Sequence, residues 1–150
     1  MLPAVLVAFL HFAAVLGLFG ALVGECLLFG RTVSVAQATT LQRLDRLYGL
    51  SATVLLVVGG LRAWRYEKGL DFYLANPFFH LKLSLFVLVG LLSVYPTVVF
   101  LRWGRDLRAG HAPVVSEAQY RTVTRLLRIE LAGVFAIVAA ASLMAKGVGL

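Results

Sequence analysis

Two basic side chains lie just inside a long apolar segment, where ionisable groups are costly. The transition from polar to apolar reads Asn-Pro-Phe-Phe-His-Leu-Lys over 76–82, and the apolar segment then continues to about Leu101. The asparagine and proline predict a helix start, because Asn caps a first turn and proline suits the first helical position. An ionisable group in lipid costs on the order of 3 kcal/mol, so His80 and Lys82 are candidate functional residues.

A third basic side chain, His11, is expected at a similar depth. It lies roughly 12 Å into the first apolar segment, and Lys82 lies roughly 7 Å into the third, measured from the same membrane face at about 1.5 Å per residue. Residues two apart in a helix point about 200° apart, so His80 and Lys82 cannot both face one cavity. The sequence leaves open which of the two faces the interior.

Buried acidic residues are expected nearer the opposite face. Glu25 follows His11 by about four helical turns, so the two share a helix face but lie roughly 21 Å apart. Glu130, Asp45 and Arg46 begin other apolar segments at about the same level. Because buried carboxylates near arginines are expected to pair, we predict an ion network. Its predicted members are Glu25, Glu130, Arg46 and Arg128, with Arg43 as a further partner. Such a network either fixes helix register or serves a proton path or a substrate carboxylate.

Composition identifies an integral membrane protein. The 150 residues are 61% hydrophobic and 14% charged, and the mean hydropathy is +0.91, whereas soluble chains are about half apolar and about a quarter charged. The single cysteine, Cys26, rules out a disulfide framework and a cysteine-spaced metal site. The net charge of +7 comes mainly from arginines beside apolar segments, where they meet anionic head groups. We therefore expect the lipid bilayer as partner and no nucleic acid.

The fold class predicted is all-α, an integral membrane four-helix bundle that forms a single domain over 1–150. The apolar segments cover about 3–30, 47–64, 78–101 and 129–145, and the first is longer than the roughly 20 residues that a bilayer requires. Residues 31–46 read as a polar connector. The last segment has a helical lead-in from 116, where Ser-Glu-Ala-Gln matches a capping box.

The basic residues predict the orientation. Most arginines lie in the connections between the first and second and between the third and fourth segments, whereas Arg62, Arg65 and Lys68 lie on the opposite side. The positive-inside rule therefore places both termini outside, on the periplasmic side, and 102–128 inside.

Two further patterns each have two interpretations. Gly20 and Gly24 have the small-xxx-small spacing that lets helix backbones approach closely, either within the molecule or in a homodimer. Arg121, Arg125 and Arg128 form a stripe on one helix face, which is typical of a lipid-facing or solvated surface and less often of a ligand clamp. His111 is expected to be an exposed loop residue.

Short motifs distributed along the chain resemble known membrane families. The whole chain looks like a family of bacterial four-helix membrane proteins of unknown function, and more distantly it resembles HemJ-type protoporphyrinogen oxidases and the copper-resistance protein D group. The motifs are Leu10-His11, Arg46-Leu47-Tyr48, Gly59-Gly60-Leu61, Phe79-His80-Leu81-Lys82-Leu83, and the arginine-to-glutamate stretch from Arg125 to Glu130.

The resemblance to the oxidases implies a haem site. In that family a first-segment histidine and a third-segment lysine are the functional pair and a b-type haem is bound, which implies a ligand role for His11 and a catalytic role for Lys82. Imidazole is a common axial ligand of haem iron, and His80 is the candidate second histidine ligand. Arg62, Arg65 and Lys68 are the candidate partners of the haem propionates.

Two functions of different classes follow. The first is a haem-binding membrane oxidoreductase that acts on a porphyrin or a quinone. The second is a non-catalytic scaffold, an accessory subunit of a larger membrane complex, or a metal-handling protein without haem. Both place the protein in the bacterial inner membrane, as a homo-oligomer or beside a partner membrane subunit.

Overall fold

The computed structural model describes residues 2–66 and 70–146, and this part of the chain is almost wholly helical. Four of its helices are long and apolar enough to cross a membrane. The elements are α1 (Leu2–Leu28), α2 (Val35–Leu61) with a π-helical turn at Arg62–Tyr66, α3 (Leu70–Ala75), α4 (Pro77–Arg102), α5 (Gly104–Arg108) and α6 (Glu117–Ala145). The predicted all-α class, with four helices long and apolar enough to span a membrane, is confirmed.

Three helix starts are fixed by side-chain caps. The Asn76 side chain accepts a hydrogen bond of 2.9 Å from the Phe78 backbone N–H, as the Asn-Pro pair predicted. Ser116 and Gln119 form the predicted capping box at the start of α6. Ser34 and Gln37 form a second capping box, which the polar composition of 31–46 had concealed. As a result α2 begins at Val35 and not near 47.

The long helices form two antiparallel hairpins. The closest pairs are α1 with α2 and α4 with α6, and weaker contacts of α1 with α6 and of α2 with α4 join the hairpins. Both described chain ends lie at one end of the bundle, here called the terminal end. The opposite end, called the arginine-rich end, holds the α1–α2 connection, α5 and the start of α6.

Glycines allow close approach inside each hairpin. A Cβ atom on Gly17 would lie 2.7 Å from the Ser51 Oγ of α2, and one on Gly24 would lie 2.8 Å from Leu44. A Cβ atom on Gly133 of α6 would lie 2.5 Å from Val89 of α4. The small residues of α1 therefore serve packing within the molecule, although Gly20, half of the predicted motif, faces open space.

Packing is densest toward the arginine-rich end. Leu22, Leu41, Phe100 and Val123 are wholly buried there, whereas none of the described side chains of 2–13 is buried. Four aromatic side chains close this end, with Phe29 at ring-centroid distances of 5.8–6.3 Å from the others. We call this set the aromatic plug, and its members are Phe29, Phe100, Trp103 and Tyr120.

Candidate functional site

Three carboxylic acids from three helices meet beneath the aromatic plug. Glu25 of α1, Asp45 of α2 and Glu130 of α6 are only 2%, 8% and 1% exposed. The carboxylates of Asp45 and Glu130 are close enough to Glu25 to repel negative charge on it, and Asp45 acts on Glu130 in the same way. The burial predicted for both glutamates is confirmed.

Hydroxyl groups supply the hydrogen bonds of this acid cluster. The Tyr48 hydroxyl is hydrogen-bonded to the Glu130 carboxylate and also lies next to the Ser93 hydroxyl of α4. The Thr97 hydroxyl donates a bond of 2.6 Å to Asp45 Oδ1. One oxygen of Glu25 and one of Glu130 is nevertheless buried without a hydrogen-bond partner. The hydrogen bonds that the described residues provide therefore leave part of the cluster unsatisfied.

The arginines expected in the ion network occupy other positions. Arg43, Arg46 and Arg128 are exposed. Arg46 acts electrostatically on Asp45, and Arg128 acts on Cys26 and not on Glu130. The reason is rotational, because Arg128 lies two residues before Glu130 and so points about 200° away from it. Long guanidinium side chains also extend toward head groups, which leaves the glutamates facing another carboxylate.

An apolar cavity of about 90 Å³ lies beside the acid cluster at the centre of the bundle. Tyr48, the hydrogen-bond partner of Glu130, forms part of its wall. Val15 and Phe86 line it as well, and these residues lie one helical turn after His11 and Lys82. The cavity thus lies between the acid cluster on one side and His11 and Lys82 on the other.

His11 lies at the inner side of the loosely packed part of α1. The side chain is half-buried and shares a helix face with the buried residues Ala14 and Leu18. A Cβ atom on Gly59 of α2 would lie 3.7 Å from the His11 Cε1, so the imidazole packs against a helix surface without a side chain. The Arg62 guanidinium lies one turn farther along, 5.7 Å from the Phe12 ring centroid.

Lys82, and not His80, lies on the inner face of α4. Lys82 is half-buried and shares its face with buried Val89 and Pro96, while its Nζ lies 5.4 Å from the Phe79 ring centroid. His80 is exposed, and its Nε2 lies 2.9 Å from the Leu74 carbonyl oxygen. The structure thus places His11 and Lys82 at the same end of the cavity and does not bring His80 to it.

The remaining candidates are peripheral. Arg65 and His111 are exposed, and Lys68 lies outside the described residues. Arg121, Arg125 and Arg128 line an open surface groove of about 470 Å³ on α6. Arg121 bonds Glu117 at 2.8 Å, and Arg31 also pairs with Glu117. The stripe therefore forms an exposed basic surface, as its commoner interpretation predicted.

Comparison with known families agrees with this architecture. Residues 3–149 match the family described as "Predicted membrane protein (DUF2214)". The chain belongs to this family. No curated protein and no solved structure matches the chain. The family match agrees with the four long apolar helices of the structure in indicating a membrane protein, and the resemblance to HemJ-type oxidases stays a prediction.

Sequence reasoning missed part of the site of this DUF2214 chain. Ser93 and Thr97 supply hydroxyl groups to Tyr48 and Asp45. A signal was available, because Lys82, Val89 and Ser93 lie on one face of α4. Without knowledge of which face is internal, these hydroxyl groups could equally have bonded their own helix, as Ser93 also does to the Gly90 carbonyl.

Proposed function

We propose that the protein is a b-type haem protein of the bacterial inner membrane with an oxidoreductase role, in which His11 is an axial ligand. The observation that carries the proposal is the position of this imidazole. It is half-buried on the inner face of α1 and packs against Gly59. No described side chain in this part of α1, residues 2–13, is fully buried. Haem iron accepts a histidine ligand, and haem sites in helical bundles are formed by side chains on facing helices.

The room available limits where a haem would lie. Sites for drug-sized ligands have volumes of about 300–1,000 Å³, so the cavity of about 90 Å³ does not hold a porphyrin. A haem on His11 would instead occupy space beside residues 2–13, where Phe9 and Phe12 are exposed. One edge of the macrocycle would then face lipid.

Other residues supply charge around this position. Arg62 follows Gly59 by about one helical turn, and a guanidinium there would bind a propionate through charge-assisted hydrogen bonds. Lys82 keeps a cationic side chain on the inner face of α4, one turn from the cavity wall at Phe86. When bound, the haem supplies one-electron transfer. Lys82 would orient a lipid-soluble substrate, a porphyrin or a quinone, and exchange a proton at Nζ.

The position of His80 argues against it as the second axial ligand. Its Nε2 is already engaged with the Leu74 carbonyl, and it lies about 200° around the helix from Lys82. The support for the site therefore rests on a single histidine from this chain.

The decisive experiment is a visible absorption spectrum of the purified protein, oxidised and then reduced with dithionite. The expected result is a Soret band with a reduced-minus-oxidised difference typical of b-type haem. Protein that is colourless after expression with ample haem supply, and stays so on haem titration, overturns the proposal. The protein is then better explained as a non-catalytic scaffold, an accessory subunit or a metal-handling protein.

A further inference from the structure

The acid cluster is a separate feature that the haem proposal does not use. Its three carboxyl groups come from α1, α2 and α6, and all three side chains are more than nine-tenths buried. Glu25 and Glu130 each have one buried oxygen without a hydrogen-bond partner. Because unsatisfied buried polar atoms are rare and costly, these two oxygens require a physical explanation.

Among the described residues, the groups that act on the two glutamates of this cluster are carboxylates and a hydroxyl group. Glu25 faces Asp45 and Glu130, Glu130 faces Asp45 and the Tyr48 hydroxyl, and α4 contributes the neutral side chains of Ser93 and Thr97. The neighbouring thiol of Cys26 lies near Arg128. Arg46 acts on Asp45 alone among the three acids, and both arginines are exposed.

Three ionised carboxylates cannot share this environment at low cost. Two unit charges at 4 Å repel by about 4 kcal/mol even at an effective dielectric constant of about 20. An ionised group buried without a partner is instead neutralised. A proton on one carboxyl group removes a negative charge and also creates an O–H donor for a neighbouring carboxylate oxygen.

We propose that Glu25, Asp45, Tyr48 and Glu130 form a proton-binding site inside the membrane, with at least one of the two glutamates protonated at neutral pH. The bound proton forms a carboxyl O–H bond, and its release leaves a carboxylate that accepts hydrogen bonds from the neighbouring hydroxyl groups. Tyr48 belongs to both the acid cluster and the cavity wall. Tyr48 therefore connects the acid cluster to the cavity, and the site exchanges its proton on that side.

Infrared spectroscopy tests this site without any cofactor. A background of Glu67→Gln and Glu117→Gln leaves Glu25 and Glu130 as the only glutamates of the chain. Selective carbon-13 labelling of glutamate carboxyl groups should then shift a carbonyl band of protonated carboxylic acid at neutral pH. That band should also shift in D2O and disappear at high pH.

Single variants of the otherwise unchanged chain, labelled in the same way, identify the proton carrier. Glu117→Gln is the matched control, because Glu117 is exposed and ion-paired. Glu25→Gln or Glu130→Gln should lose the labelled band, and Glu117→Gln should keep it. Absence of the band in folded protein at neutral pH, or a band unchanged in both single variants, overturns the proposal. If neither variant folds, the labelled background protein decides by the presence or absence of the band. A colourless protein with the band would refute the haem proposal and leave this one standing.

Discussion

The Thr97 hydroxyl donates a hydrogen bond of 2.6 Å to the Asp45 carboxylate and so joins α4 to α2. Thr97→Val keeps the shape of the side chain but leaves a buried carboxylate without its donor. We expect a loss of about 1–3 kcal/mol in stability, the cost of leaving a buried group unsatisfied. Thermal unfolding in detergent measures it.

Two variants serve as controls for that loss. Thr97→Ser keeps the hydroxyl and should retain most of the stability. Thr53→Val makes the same chemical change at an exposed α2 position whose hydroxyl bonds its own helix at Gly49. Equal effects of the two valine substitutions would show that the link between α2 and α4 contributes nothing specific.

Gly133 should not tolerate alanine. The added Cβ atom would lie 2.5 Å from Val89 Cγ2, and the β-branched valine has little rotamer freedom to yield. Overpacking of this kind costs about 1–3 kcal/mol. Gly20→Ala is the matched control, since open space surrounds that position and alanine favours helix by up to about 1 kcal/mol. In thermal unfolding, Gly133→Ala should cost less stability in a Val89→Ala background than in the wild-type chain, because the clashing methyl group is gone. An equal cost in both backgrounds would show that the clash with Val89 is not the cause.

His11→Ala should abolish the Soret band expected of the proposed haem site, because it removes the axial donor. His80→Ala and His111→Ala should keep the band, since both side chains are exposed. Lys82→Ala should keep much of the haem and lower redox turnover. The measurement is the haem-to-protein ratio from the absorption spectrum of each variant. If only His80→Ala lost the haem, His80 and not His11 would be the axial ligand, and the proposed site would be wrong.

The orientation predicted from the arginines can be tested in intact cells. In a Cys26→Ser background, Ala112→Cys places a thiol in the exposed connection between α5 and α6. A membrane-impermeant thiol reagent should leave it unlabelled until the cells are opened, because the positive-inside rule places this connection inside. Labelling before lysis would show that this connection lies outside and that the predicted orientation is wrong.

Helix existence and depth could be predicted from the sequence, and rotation about the helix axes could not. In water an apolar stripe marks the inner face of a helix, but in a bilayer the lipid-facing surface is equally apolar. The face of Lys82 and that of His80 therefore looked equivalent until Val89 and Pro96 proved to be buried. The same limit applies to Glu130, whose burial followed from depth while its neighbours depended on rotation.

Local hydrogen bonding explains the main error in the helix boundaries. Hydropathy placed the start of the second segment near 47, because the residues before it are polar. Ser34 and Gln37 cap a helix there regardless of polarity, so the true helix extends about three turns beyond the apolar segment. The same motif at Ser116 was recognised and gave the correct start of α6.

The division of the bundle into two hairpins bears on how the chain is inserted and assembled. Each hairpin makes its closest contacts between helices that are neighbours along the chain, so these contacts require little loop closure. The α1–α2 hairpin can therefore be complete before α4 leaves the ribosome. Separately synthesised halves, divided between the π-helical turn and α4, should consequently find one another in the bilayer and rebuild the acid cluster from two polypeptides.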